Sequence, residues 1–385
     1  MRCDHFWGVL VGLWAWTPLC VTAPAALAAD PPDDVPSATP LVYCADLYHP
    51  HIDPDDHWDA ATVYALAKAG RIDLRGIVID YPPNDASDPA VAAGGDPAAV
   101  AVAQLNRITG LAVPMVVGSS RPFGPSAPAT APASIQNDET GARFILDALR
   151  RSREPVAIAV TGVCRNVALA GRLDPDVFRD KCRAVYVNAG TGTTDPDKGA
   201  NTEYNVRLDV AAYRAMFALP CPVYWLPCFD DGPTAGGVKV AEYGSYWVFR
   251  QGDVLSHVSP AVQNYFLYAL TRTSEPRWLR YLAREVDADA LAAACEQPRN
   301  MWSTASFFHA AGLAVTRDGA LVPIGDAGAA AVYDFLPIRV ATNEQGVAAW
   351  RADQASPERF IIQVRDTDRY ASAMTRALRA VLGEL

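Results

Sequence analysis

The sequence predicts an α/β protein: an open, mainly parallel, Rossmann-like sheet with helices on both faces and a helical C-terminal part. Three observations predict it. Short apolar runs rich in β-branched residues recur between residues 41 and 226, stretches of helical pattern separate them, and the polar clusters follow the strand-like runs. Alternation of this kind gives βαβ units and a parallel sheet covered on both sides. Right-handed crossovers then align the C-terminal ends of the strands on one edge, where such folds bind ligands.

Taken in order, Leu41–Tyr48 reads as a buried strand and His57–Ala69 as a helix. Leu74–Asp80 is a strand, Pro97–Thr109 a helix opened by Asp96, and Val113–Gly118 a strand. Asp138–Arg151 is a helix with Asn137 as its cap, followed by strand Val156–Thr161, helix Arg165–Leu173 and strand Ala184–Asn188. Helix Val210–Leu219 and strand Val223–Leu226 close the regular part. Residues 120–136 and 190–202 read as loops. Beyond residue 228 the strand rhythm weakens; residues 258–285 and 287–313 read as helices, and Tyr370–Leu385 as a terminal one. No internal repeat and no break between domains is evident from residue 41 to 385.

Composition narrows the function classes. The chain has 385 residues, 50% hydrophobic and 20% charged, ordinary values for a globular protein with a large core. Asp and Glu outnumber Lys and Arg by 43 to 33, for a net charge of −10, and no basic run occurs. That excludes nucleic acid as the expected partner, because phosphate binding needs clustered Lys and Arg.

The N-terminus has the pattern of a secretory signal. Arg2 precedes an apolar run from Phe6 to Val21, and Ala26-Leu27-Ala28-Ala29 forms an A-x-A-type cleavage site before Asp30. The run is shorter than the ~20 residues a spanning helix needs, and Pro18 interrupts it, so a stable membrane span is not expected. Residues 1–29 are thus expected to direct export and leave, with 30–40 a Pro-rich, flexible lead-in. Cys3 and Cys20 leave with them, and Cys44, Cys164, Cys182, Cys221, Cys228 and Cys295 remain. Cys221 and Cys228 bracket a run whose ends lie about 20 Å apart as a strand, too far for a disulfide. No cysteine spacing resembles a zinc site.

The densest chemical signal lies between the first strand and the first helix. Asp46, Asp53, Asp55 and Asp56 crowd into one connection that also holds His49, His51 and His57. Like charges ~4 Å apart in a partly buried site repel by several kcal/mol. A hard divalent cation with oxygen ligands relieves that cost, and Ca²⁺ fits it. The plainer alternative is a polar turn in which Asp55 or Asp56 caps the helix. Three further polar segments follow apolar runs: Thr161–Asn166, Thr202–Asp209 and Arg299–Thr304. In a parallel sheet they would converge on the same edge.

These motifs, in this order, resemble the inosine–uridine-preferring nucleoside hydrolases. That family opens with a strand, an Asp-rich loop ending in two adjacent Asp, and a helix, as at Asp55-Asp56. Its Thr-Gly turn leading to Asn-Ile-Ala is similar to Thr161-Gly162 leading to Asn166-Val167-Ala168. Its Glu-aromatic-Asn followed by Asp is matched by Glu203-Tyr204-Asn205 and Asp209. The likeness runs, with gaps, from about residue 41 to 313.

The resemblance implies calcium-dependent hydrolysis of the N-glycosidic bond of ribonucleosides. It implies Asp46, Asp56, the Thr161 carbonyl and Asn300 as calcium ligands, and Asp55, Glu203 and Asn205 as ribose-binding groups. It makes Asp46 or Asp53 the general base, and Asp46 is preferred over Asp53 as the ligand at the strand end. The implied partner is a small nucleoside or related sugar, and a homo-oligomer stays open. Two departures stand out. The loop carries the extra residues His49–Ile52 and lacks the family's Gly, and Arg299-Asn300 replaces the late His-Asp pair. Arg cannot donate a proton at useful pH, so His49, His51 and His57 become the candidate acids. His309 lies about 13 Å from Asn300 along the presumed helix. Three other readings remain: a hydrolase of another glycosidic substrate, a relative that binds sugar or nucleoside without turnover, and a plain α/β scaffold with a structural calcium.

Overall fold

The structure is a computed structural model that describes residues 38–49, 51, 53–80, 98–124, 139–193, 203–230, 242–355 and 358–385. The expected signal segment, most of the lead-in, the caps Asp96 and Asn137, and much of both expected loops lie outside the described residues.

The first half alternates as follows: β1 (Thr39–Ala45), α1 (Asp55–Lys68), β2 (Ile72–Ile79), α2 (Ala99–Thr109), β3 (Met115–Val117), α3 (Thr140–Arg151), β4 (Val156–Val160), α4 (Arg165–Leu173), α5 (Pro175–Lys181) and β5 (Cys182–Asn188). Then come α6 (Tyr204–Leu208), α7 (Val210–Met216), β6 (Val223–Leu226), β7 (Trp247–Arg250), α8 (Gly252–Leu255), α9 (Pro260–Leu270), α10 (Trp278–Tyr281) and α11 (Ala288–Glu296). The last part holds β8 (Pro298–Met301), α12 (Thr304–Ala310), β9 (Leu313–Val315), β10 (Leu321–Pro323), α13 (Ile324–Ala327), β11 (Tyr333–Thr342), β12 (Ala348–Ala352), β13 (Arg359–Val364) and α14 (Thr367–Leu382).

Among the described residues nine strands form one sheet, in the order β12-β11-β13-β6-β5-β4-β1-β2-β3. All pairings from β3 to β13 are parallel; β11 is antiparallel to both β13 and β12. Every residue of β1 is buried, and its side chains alternate strictly between two cores. Leu41, Tyr43 and Ala45 join the cluster that includes Trp58 of α1, Phe307 of α12 and Met374 of α14. Val42 and Cys44 join the opposite one, with Ile145 of α3, Val167 of α4 and Tyr213 of α7. This period of two, buried on both faces, explains why β1 reads as an unbroken apolar run.

Strand order reverses direction at β1 and β4. The chain runs outward through β2 and β3 on one side, and through β5 and β6 on the other. Crossover connections leave on opposite sides there, opening a crevice above the two C-terminal strand ends. Cys44 pairs with Val160, so Asp46 and the Thr161-Gly162 turn emerge side by side into that crevice.

Three expectations need correction. Residues 258–285 do not form one helix: α9 ends at Leu270, and only the short α10 follows before residue 285. Residues 287–313 do not form one helix either. Helix α11 stops at Glu296, and Gln297 is already extended, with ψ 137°. Pro298 is the cause, since the residue before a proline is driven out of the helical region. The next residues form β8, antiparallel to β7. Strands β11, β12 and β13 also complete the sheet where no strands were expected. Pro337 and Arg339 break the apolar run of β11, yet it pairs on both edges. All the cysteines from Cys44 onward are free thiols. Among the described residues no helix is long and apolar enough to cross a membrane.

Candidate functional site

A cavity of about 260 Å³ occupies the crevice. Asp46, Asp53, Asp55 and Asp56 line it, with Thr161, Asn188, Glu203, Tyr204, Asn205, Arg207, Cys228, Phe229 and Trp302. Each group comes from the C-terminal end of a strand or the start of the element that follows. Asp46 follows β1, Thr161 follows β4, Asn188 ends β5, Cys228 and Phe229 follow β6, and Trp302 follows β8. Asp55 and Asp56 form the first turn of α1, where unpaired helical N–H groups favour negative charge.

The carboxylates are strongly coupled. Burial, then the charge of Asp53, raises the pKa of Asp46 to about 7. Burial and the neighbouring acids also push Asp55 and Asp56 well above the usual range. The carboxyl groups of Asp46 and Asp56 act on each other at close range, an arrangement that a proton or a cation between them would relieve. Gly162 makes room for it: a Cβ there would lie 2.9 Å from Asp46 Oδ1.

Glu203 and Asn205 are held as a unit. The Glu203 carboxylate caps α6, accepting from the amides of Asn205 (2.8 Å) and Val206 (3.4 Å), and takes a third bond from Gly190 N–H at 3.0 Å. Burial raises its pKa, and these amides oppose the shift. Asn205 Nδ2 donates to the Thr161 carbonyl at 2.9 Å, which turns Asn205 Oδ1 away from that partner. Of the lining groups, Asp55 Oδ1, Asp56 Oδ2 and Asn205 Oδ1 are buried with no hydrogen-bond partner among the described residues.

A hard cation fits this donor set. The cavity offers carboxylate, amide and main-chain oxygens, several without partners, and Ca²⁺ takes oxygen ligands in flexible geometry. Among the described residues no group of three or more His, Cys, Asp or Glu side chains is placed to hold a metal ion by itself, so main-chain and amide oxygens would have to contribute.

The structure does not bring Asn300 to the cavity. Its strand pairs it with Val248 of β7, its side chain is exposed, and its Oδ1 accepts from Tyr246 Oη at 2.9 Å. The side chain two residues on, Trp302, reaches the cavity instead. None of the expected acids lines it either. His57 is locked in the core: Nε2 donates to the Tyr48 carbonyl (2.9 Å) and Nδ1 meets Tyr265 Oη (3.2 Å). Burial lowers its pKa to about 3, so it stays neutral. His49 Nε2 bonds the Thr273 carbonyl at 2.7 Å. Burial, then the charges of Arg272 and Arg299, lowers the pKa of His51. His309 lies elsewhere, with Nδ1 2.9 Å from Tyr186 Oη.

Sequence reasoning missed Asn188, Cys228, Phe229 and Trp302. Asn188 ties three strand ends together: Nδ2 donates to the Leu226 carbonyl (2.9 Å) and Ser245 Oγ (3.0 Å), while Oδ1 accepts from Ser303 Oγ (2.9 Å). Its place as the last residue of a strand was the available signal. Phe229, Tyr246 and Trp302 form an aromatic group beside the cavity, with ring centroids 5.7–6.4 Å apart.

A buried network fixes this wall. Arg165 Nε bonds Asp209 Oδ2 at 2.8 Å, with both side chains almost fully buried. The same guanidinium reaches the carbonyls of Leu208 and Ser120. Asp209 also caps α7 through Ala212 N–H (3.0 Å) and accepts from Phe123 N–H (2.7 Å).

Comparison with known proteins gives a consistent result. The model of the family described as inosine-uridine preferring nucleoside hydrolase matches residues 51–372. A plant nucleoside hydrolase, PpNRh1, has a similar fold at 13% identity, covering 90% of this chain and 100% of its own, with a TM-score of 0.51. An inosine-uridine preferring nucleoside hydrolase from Bacillus anthracis is 13% identical, with 89% and 99% of the chains covered and a TM-score of 0.45. The effector XopQ, solved with adenosine diphosphate ribose, is 15% identical over 90% and 95% of the chains, also at 0.45. No curated protein sequence matches.

Removing one partner of the Arg165–Asp209 pair should be costly, because it strands a buried charge. Arg165→Met is expected to lower the free energy of unfolding by about 3–5 kcal/mol, and Arg165→Met with Asp209→Asn by less than the sum of the two single changes. Urea unfolding of the three variants checks this; strict additivity would show that the two groups are not coupled.

Proposed function

The chain belongs to the inosine-uridine preferring nucleoside hydrolase family, a family of N-glycosyl hydrolases, and from that premise we propose that it hydrolyses the N-glycosidic bond of ribonucleosides with Ca²⁺ as cofactor. The observation that carries this reading is the cavity at the reversal of strand order, where carboxylate and amide oxygens face one space and lack partners. In this reading Asp46, Asp56 and the Thr161 carbonyl hold the cation. Bound there, calcium would offset the carboxylate charge and supply Lewis acidity beside the attacking water.

The protein's own residues do the rest. Asp55, Glu203 and Asn205 take the ribose hydroxyls. Glu203 suits this because three backbone amides fix its carboxylate before substrate arrives, so little ordering cost remains. Asp46 takes the proton of the attacking water. It stands at the end of a buried strand, whereas Asp53 is exposed on the connecting loop. Cleavage of the bond builds positive charge on the sugar, which the surrounding carboxylates stabilise as it grows. Phe229 and Trp302 give the wall a flat, apolar element of the kind a nucleobase stacks against.

Ribose release from inosine and uridine tests the reading. Activity should vanish on chelation and return with Ca²⁺, and Asp56→Asn should lose it by at least ~10². Full activity in metal-free protein would remove calcium from the mechanism, and no release from any nucleoside would leave a binding protein.

Non-catalytic binding has an observation of its own in its favour, the absence of histidine from the described cavity wall. Leaving-group protonation contributes typically ~10²–10⁴-fold. A p-nitrophenyl riboside, whose leaving group needs no proton, should therefore be cleaved faster than inosine by about that factor. Equal rates would reveal a working acid.

Residues 1–29 are proposed as a cleaved export signal and 41–385 as one catalytic domain. N-terminal sequencing of exported protein should begin near Ala29 or Asp30; an intact Met1 in a membrane fraction would make the segment an anchor.

A further inference from the structure

The side-chain amide of Asn188 lies where three stretches of chain meet. Asn188 ends β5, is buried, and lines the cavity. Its Nδ2 donates to the Leu226 carbonyl at 2.9 Å and to Ser245 Oγ at 3.0 Å, with a longer contact to the Trp302 carbonyl at 3.5 Å. Its Oδ1 accepts from Ser303 Oγ at 2.9 Å and, more weakly, from the Cys228 thiol at 3.9 Å. The orientation is forced, because the Leu226 carbonyl can only accept. Ser245 carries the tie one step further, since its Oγ donates to the Pro227 carbonyl at 2.9 Å. An asparagine amide has two donor hydrogens, and its oxygen has two lone pairs; all of them are engaged here. Although Asn188 lines the cavity, it therefore keeps no polar group for a ligand.

The partners of this amide adjoin the aromatic residues beside the cavity. Cys228 precedes Phe229, Ser245 precedes Tyr246, and Ser303 follows Trp302. The three rings pack on one another: Phe229 and Trp302 at 6.2 Å and 81°, Tyr246 and Trp302 at 5.7 Å and 52°, Phe229 and Tyr246 at 6.4 Å and 34°. They arrive from separate places in the fold. Phe229 follows β6 of the large sheet, whereas Tyr246 and Trp302 flank β7 and β8, which form a ribbon of their own. The ribbon is joined to the end of β6 by a main-chain bond, Ser245 N–H to the Pro227 carbonyl at 2.8 Å, and by the Asn188 amide. Ring pairs of this kind attract only within a narrow range of separation, so movement of one segment disturbs all three rings.

We propose that Asn188 is the positioning residue of this aromatic wall, and so sets how tightly the cavity takes the flat leaving group of a nucleoside. The inference rests on the nucleoside reading above and deepens it. The two ends of the substrate are served by different parts of the chain. Glu203 and Asn205, at the opening of α6, take the sugar, and the rings tied through Asn188 take the base. Gly190 N–H, which holds Glu203, belongs to the main chain and does not depend on the Asn188 side chain.

The test compares two ligands on the same variants. Wild type, Asn188→Ala, Ser303→Ala, Trp302→Ala and the Asn188→Ala/Trp302→Ala double variant are titrated with ribose and with a C-nucleoside, whose base is joined through carbon and cannot be hydrolysed. Asn188→Ala should bind the C-nucleoside about 10-fold more weakly, the order of one lost base–aromatic stack, while its affinity for ribose stays that of the wild type. Ser303→Ala removes a single bond to the amide and should act in the same direction but less, which keeps the test open if Asn188→Ala folds poorly. In the Trp302→Ala background the Asn188→Ala change should cost much less than it does in the wild type, because the wall it positions is already broken. Equal loss for ribose and C-nucleoside, no loss for either, or strict additivity with Trp302→Ala would overturn the proposal and leave Asn188 a strut of the fold. A wild type that binds neither ligand would instead overturn the nucleoside reading itself.

Discussion

Mutual repulsion among carboxylates in one crevice is the constraint to which the surrounding structure answers. Asp46, Asp53, Asp55, Asp56 and Glu203 line a common space. At ~4 Å and an effective dielectric near 20, each close pair costs about 4 kcal/mol. The fold opposes this in part with Arg207, whose guanidinium lines the same cavity. Asp55 and Asp56 occupy the positive end of a 14-residue helix, and Glu203 takes three backbone amides. The charge left over is what draws a cation in.

Holding such a cluster in place demands a rigid frame. Strand β1 provides it, buried on both faces and paired in register with β2 and β4. Around the rim the frame continues in side-chain bonds that join separate elements. Asn166 Nδ2 donates to Asp80 Oδ1 at 2.6 Å while its Oδ1 accepts from Ser119 N–H, locking the ends of β2 and β3 to α4. Arg165, the preceding residue, locks α4 to the Glu203–Asp209 segment. Adjacent residues on one short helix thus brace opposite sides of the cavity, so small shifts of α4 would be felt at both.

Much of this was legible in the sequence because the chain's local and global preferences agree there. Strands β1 and β4 are apolar and buried on both faces, helices α3 and α4 have a clear apolar side, and the acidic loop lies where a strand ends. Legibility failed where tertiary pairing overrode local pattern. The Ala-rich run of α11 reads onward as helix, and only Pro298 signals that it stops. Missing that break placed Asn300 on a helix face, when in fact β8 turns it toward Tyr246. Strand β11 hid behind Pro337 and its charged residues, which an outer, antiparallel position in the sheet tolerates.

The free thiols bear on how long a molecule of this protein can last. Cys44, Cys164, Cys182, Cys221 and Cys228 are all buried, and burial holds the pKa of Cys44, Cys164, Cys182 and Cys228 well above its ordinary value. Thiolate, the form that oxidants and disulfides attack, is therefore scarce at those four sulfurs while the fold is intact. Once the chain opens, that shelter disappears, and in the oxidising compartment to which the proposed export signal would deliver it the exposed thiols would be open to mispairing. Each excursion to the unfolded state would then be a one-way loss. Working lifetime follows the rate of unfolding more than the free energy of folding, and slow opening of the buried central strands matters more to survival than their equilibrium stability.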